Sequence, residues 1–205
     1  HGISAIDSGF GRPQLAAIHL IAEGDRAALV DTGSNASLPI VLQALKAKGL
    51  TPAQVEYVIL THIHLDHAGG AGALMQALPN ARLTVHPRGA RHMVDPARLV
   101  AGTIAVYGEA QARRMYGDIL PIPADRIVET PEGATIRLGE RALTFLDTPG
   151  HARHHVCIRD DRSGHGIIGS RLGLQRQVET FGPQTVFDAA WLGEGFACVL
   201  IDEAQ

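Results

Sequence analysis

The sequence predicts an α/β layered fold with at least one mixed sheet, on three observations. Short apolar runs alternate with stretches of helical period as far as Tyr116. Beyond Pro121 and Pro123 the texture changes to short strands parted by turns. The chain has 205 residues, 45% of them hydrophobic, enough for an ordinary core in one domain over 1–205 whose last part, 170–205, reads as atypical or incomplete.

Residues 16–22 (AAIHLIA) and 27–31 (AALVD) read as strands joined by Glu23-Gly24-Asp25, a hairpin signal. Asp31-Thr32-Gly33-Ser34-Asn35 breaks the second strand. Ser37 is placed to cap a helix that runs through Lys48 and stops at Gly49. Thr51-Pro52 starts a short helical turn, and 57–60 (YVIL) reads as a buried strand. A histidine-rich segment, 61–70, follows directly and leads into a helical stretch ending at Leu78. Residues 82–86 form the next strand, and 88–116 are helical in pattern with breaks near Asp95-Pro96 and Gly102. After the proline linker come strands at 126–129, 135–138, 142–146, 156–159 and 166–168. The sequence shows no repeat and no low-complexity tract.

Composition narrows the classes. The apolar content excludes disorder, and no apolar run reaches the roughly 18 residues of a helical membrane span. A formal net charge of −3 argues against a binder of nucleic-acid backbone. A small-molecule substrate is therefore expected, without nucleic acid or membrane. Two cysteines, Cys157 and Cys198, cannot make a disulfide framework, although one bridge between them stays open. No secretory signal is visible, which makes the cytoplasm the expected location. The first residue is His1 rather than Met, so a missing or processed terminus is expected and export encoded upstream stays open.

The strongest signal is His62-x-His64-x-Asp66-His67. Imidazole and carboxylate are the ligand set of zinc, and less specifically of iron or manganese. If the chain leaves its strand extended, a period of two aims His62 and His64 to the same side. The turn into the next helix then brings Asp66 and His67 to a second position nearby, and Gly69 and Gly70 let that turn pack tightly. Leu146-Asp147-Thr148-Pro149-Gly150-His151 places another histidine after a strand and a turn. With His62 and His64 it completes a three-histidine set that leaves a fourth position for water, the catalytic arrangement for zinc.

At these residues the chain resembles the metallo-β-lactamase-fold hydrolases, a superfamily that includes glyoxalase II, lactonases and β-lactamases. The likeness rests on Asp31-Thr32-Gly33, the His62–His67 motif with its glycines, and Thr148-Pro149-Gly150-His151, and covers about Ala16 to Gly173. It implies a four-layer αββα sandwich, with metal at one edge of two sheets. It also implies that His62, His64 and His151 hold a first ion, while Asp66 and His67 begin a second site. One or two zinc ions are the expected cofactor. The chain departs from the pattern twice. Ser170 stands where many members carry an aspartate that bridges the two metals, and no late histidine follows His165. The second site is left with two recognisable ligands, either because the C-terminus is truncated or because the protein is mono-metal or degenerate.

The expected chemistry is metal-assisted hydrolysis. Zinc lowers the pKa of its water toward about 7, so hydroxide is available to attack an ester, thioester or lactone, with phosphoesters less favoured. Asp66 is the catalytic candidate, taking a proton from that water and orienting it if the second site is empty. Asp31 is placed to orient a metal-binding histidine from behind. β-Lactam hydrolysis competes, since one β-lactamase subclass has a serine near the bridging position, which Ser170 echoes. Sulfur dioxygenases use iron but look for the aspartate that Ser170 replaces. A non-catalytic member is the third reading, supported by the apolar tail with Phe181, Phe187, Trp191 and Phe196, which suits a partner or a second copy of the chain. His154 and His155 are further ligand candidates; His86 and His92 read as structural or lining. Arg88, Arg91, Arg98, Arg113 and Arg114 read as a solvated helical face, with an anionic-substrate clamp as the alternative.

Overall fold

Alternation within the early strands decides how the layers stack. The computed structural model describes residues 2–13, 15–168, 185–187 and 201–203. In it β1 (Ile3–Asp7), β2 (Ala17–Glu23) and β3 (Arg26–Val30) form an antiparallel meander. Ala27 and Leu29 face one apolar cluster while Ala28 and Val30 face another, so this strand is covered on both sides. β4 (Val55–Ile59), β5 (Arg82–Val85) and β6 (Ile127–Glu129) extend the sheet in parallel, giving the mixed order β1-β2-β3-β4-β5-β6.

The helices are α1 (Leu38–Ala47), α2 (Leu65–Ala68), α3 (Ala71–Ala77), α4 (Pro87–Val94), α5 (Ala97–Tyr107) and α6 (Glu109–Tyr116). Val41 and Leu45 of α1, Leu74 and Met75 of α3, and Ala90 and Met93 of α4 cover one face of the first sheet. The second sheet contains β7 (Thr135–Leu138), β8 (Arg141–Asp147), β9 (Val156–Asp160), β10 (His165–Ile168), β11 (Thr185–Phe187) and β12 (Ile201–Glu203). Its order is β11-β12-β10-β9-β8-β7, with every pair antiparallel. Phe145, Val156, Ile158 and Ile167 of this sheet meet Ile21, Ala28, Val30 and Ile59 of the first. Each fully buried side chain of this size contributes roughly 1.5–3 kcal/mol, and that seam sets the two sheets face to face. Helix, sheet and sheet are three of the four layers of the αββα reading.

Four local differences have physical reasons. β1 was not marked by the sequence pattern; it is an edge strand with only intermediate burial, held by its register with β2. Ser37 does precede α1, but its hydroxyl donates to the Ser8 carbonyl at 2.6 Å and makes no cap hydrogen bond. The expected break near Gly102 is absent, because α5 runs through it and the chain turns at Gly108, where φ is 77°. His165 opens β10 instead of sitting in a turn. Ser170, Cys198, Phe181, Trp191 and Phe196 lie outside the described residues. Among the described residues no helix is long and apolar enough to cross a membrane.

Candidate metal centre

The parallel strands β3 and β4 end at the same edge of the first sheet, and the site is built where they stop. Asp31 follows β3 with φ of 62°, a conformation that aspartate tolerates better than most residues. Its buried carboxylate accepts from the Thr61 amide at 2.9 Å and from the Thr61 hydroxyl at 2.8 Å. The Thr61 carbonyl accepts from Val156 at 2.8 Å, so the second sheet is pinned at the same point.

Beyond Thr61 the chain stays extended through His64 and then turns into α2. The amide and hydroxyl of Thr32 both donate to the His67 carbonyl, at 2.7 and 2.8 Å, and Gly70 donates to the Gly33 carbonyl at 2.9 Å. This close docking explains the glycines: a Cβ on Gly69 would lie 2.3 Å from the Leu65 carbonyl oxygen, and one on Gly70 2.7 Å from that of Ser34. The loop carrying His151 is tied by its own ends, the Thr148 hydroxyl lying 2.8 Å from His155 Nδ1 and the Thr148 amide donating to the His155 carbonyl at 3.0 Å.

These elements bring all five predicted residues together. One ring nitrogen from each of His62, His64 and His151 lies within 4.8 Å of the others. His64 Nδ1 and His151 Nε2 face one another at 2.9 Å. His62 is fully buried, its Nδ1 3.1 Å from the Thr61 hydroxyl and its Nε2 without a hydrogen-bond partner. A buried nitrogen lone pair left unanswered beside two convergent imidazoles fits a cation. Burial, reinforced by the neighbouring histidines, holds His62 far below the ordinary imidazole range. Burial first and nearby histidines second also lower His64 and His151. The three rings are therefore in the neutral form that a metal ion needs.

His67 is tuned in the opposite direction. Burial opposes a proton there, but the charge and hydrogen bond of Asp31, with Asp66 adding to them, raise it above the ordinary value. His67 Nδ1 lies 2.8 Å from Asp31 Oδ2, which leaves Nε2 facing Asp66 Oδ2 at 3.5 Å. Asp31 thus orients a histidine in the way expected of it, and the histidine is His67. Of the further candidates, His154 Nδ1 accepts weakly from the Ile63 amide at 3.4 Å. His86 caps α4 and lies 3.4 Å from Asp147, which confirms its structural reading.

His64, Asp66 and His151 open into a cavity of about 670 Å³. Its wall includes Phe10, His92, Arg98 and Tyr116. Arg113, by contrast, is occupied with Glu109 and Asp118 on the surface. Tyr116 was not foreseen: it lies in a helix without any motif, and only the fold carries it to Asp66. Its ring stacks on Phe10 at 5.4 Å, and burial, then Asp66, then Tyr107 push its hydroxyl up to about 12.

The family model of the metallo-β-lactamase superfamily matches residues 11–170. The chain belongs to the metallo-β-lactamase superfamily. A hydroxyacylglutathione hydrolase of Xanthomonas euvesicatoria is 31% identical over 185 residues, which cover 87% of this chain and 57% of that protein. The chain thus spans little more than half the length of this curated relative. A metallo-β-lactamase of Cronobacter sakazakii superposes with a TM-score of 0.61 at 21% identity, over 82% of this chain and 61% of that one, and shows the fold. A shorter stretch of 73 residues is 52% identical to part of a protein named thymidine kinase from Albidiferax ferrireducens, covering 36% of this chain and 37% of that one.

Proposed function

We propose that the protein is a zinc-dependent hydrolase of esters, thioesters or lactones, acting on a small-molecule substrate. The observation that carries the reading is the convergence of His62, His64 and His151, with His62 Nε2 buried and unpartnered. These three residues would hold one ion, and Asp66 with His67 face a second position beside it. Zinc, when bound, supplies Lewis acidity, making water acidic enough to ionise near neutrality and polarising the scissile carbonyl. The remaining steps fall to the chain. Asp66 lines the cavity with its carboxylate and accepts the proton released as water attacks. Tyr116 keeps its own proton at neutral pH and lines the same cavity, so it can donate a hydrogen bond to a departing alkoxide. The hydroxyacylglutathione hydrolase relative supports the thioester member of this substrate set.

The test measures zinc per chain and turnover of an ester, thioester, lactone and β-lactam panel, for the wild type and His64→Ala. One or two zinc ions should be present in the wild type and depleted in the variant. The variant's kcat/KM should fall by more than the roughly 100-fold that loss of an outer-shell partner causes. A wild type that takes up no zinc when it is offered overturns the reading and leaves a non-catalytic member. Preferential turnover of β-lactams would replace the proposed substrate class.

A further inference from the structure

We propose that the cavity-facing side of α5 is a groove for the apolar acyl chain of the substrate, with the carbonyl to be cleaved lying at the histidine cluster. This rests on the hydrolase reading and adds the substrate's chemical character to it.

The first observation is a helix that buries itself only in part, with Leu99 against the main core. α5 (ARLVAGTIAVY) is largely apolar, yet none of its residues is fully buried. A helix on a folded domain normally hides such a stripe against its own core. Among the described residues, the exposed large hydrophobics are Val94, Val106 at 73% and Tyr107 at 49%, all from one short stretch of chain.

The second observation is where that face points. Leu99, Gly102, Thr103 and Val106 recur at helical spacing and line the cavity that also contains His64, Asp66 and His151. Phe10 and Met115 add further apolar wall. An occupant of the groove is therefore continuous with whatever reacts at the cluster. The cavity, about 670 Å³, is of small-molecule size.

The third observation is Gly102. Inside a helix glycine costs about 1 kcal/mol relative to alanine. No bond or close approach repays that here, since a Cβ at Gly102 would meet nothing within 4 Å. The missing side chain leaves a notch midway along the lining face, where an acyl chain can lie.

The experiment titrates acetate, hexanoate and decanoate, as product analogues, into the full chain with and without zinc. It uses the wild type, Gly102→Ala and Gly102→Leu, and records each protein's Tm. Affinity should rise with chain length in the wild type, by up to about fourfold per methylene. Gly102→Leu should weaken decanoate binding at least tenfold, with Gly102→Ala between, while Tm rises in both because the helix gains a better former. A flat series in the wild type overturns the groove, as does Gly102→Leu binding decanoate normally. A dimer that decanoate does not dissociate assigns the patch to a second copy and overturns it too. Chain-length selectivity without hydrolysis of the matching esters defeats the hydrolase reading and keeps the groove. Ester hydrolysis indifferent to chain length does the reverse.

Discussion

The two ends of the sandwich both bury polar groups, and they treat them in opposite ways. Away from the metal centre, fully buried Arg141 places Nε 3.1 Å from Asp160 Oδ1, and Glu23 Oε2 lies 3.9 Å from the same nitrogen. Glu23 also pairs with Arg162, so charge is answered by charge. At the other end His62 is as deeply buried, yet its Nε2 meets no hydrogen-bond donor or acceptor, and burial lowers the neighbouring His64 and His151 toward the neutral form. Folding alone explains the first arrangement, because a buried charge must be paired. It does not explain the second, where an unmet lone pair is a cost unless something outside the chain meets it.

The largest expected effect breaks the paired end. Arg141→Met leaves the Asp160 carboxylate buried without its cation and should destabilise the protein by roughly 3–5 kcal/mol. Urea unfolding would measure this loss. Zinc per folded chain should stay at the wild-type value, since the metal centre lies at the opposite edge. Loss of zinc in parallel with stability would mean that the two ends are not independent.

The two ends were also unequally legible in the sequence. Local spacing announces His62, His64, Asp66 and His67, because one strand end and one helical turn suffice to converge them. His151 was readable because a strand and a Pro-Gly turn come directly before it. The Arg141–Asp160 pair carries no such signal; it exists only because β8 and β9 pair in one register. Tyr116 and Phe10 meet for a similar reason, through the fold and across most of the first sheet's sequence. Propensity also misplaced the break in the helical segment. It pointed to Gly102, where the helix tolerates a glycine, and missed Gly108, where a positive φ demands one.

A smaller effect sharpens the contrast through pH. Burial above all, with His67 adding to it and Asp31 opposing, holds His19 at about 4 against an ordinary 6.5. Below pH 6.5 the unfolded chain takes up a proton there that the folded chain refuses, so stability is complete above that value and drains away as pH falls toward 4. The loss from His19 at pH 4.5 is roughly 2–3 kcal/mol. Burial lowers His154 and His155 to about 4 as well, and they act with the same sign. Urea melts of zinc-free protein at pH 7 and 4.5 should show the decline, and His19→Gln should make it shallower. An equal decline in that variant would mean His19 is not among the groups responsible.

The smallest effect concerns Asp31, whose carboxylate approaches a histidine more closely than Asp66 or Asp147 does at this edge. Asp31→Asn keeps the size of the side chain and suits the positive φ at this position. An amide oxygen can still accept from the Thr61 amide, but the amide nitrogen would then replace Oδ2 opposite His67 Nδ1. Two donors cannot face each other, so His67 must move its proton to Nε2, the nitrogen turned toward Asp66. A protonated nitrogen cannot ligate. Zinc affinity at the His67 position should fall about 10–100-fold, while the cluster of His62, His64 and His151 keeps its ion. Chelator competition measures the affinities, and the ring-nitrogen NMR shifts of His67 report the tautomer directly. If the proton stays on Nδ1 in the variant, Asp31 holds the Thr61 turn together and does not set the chemistry of His67.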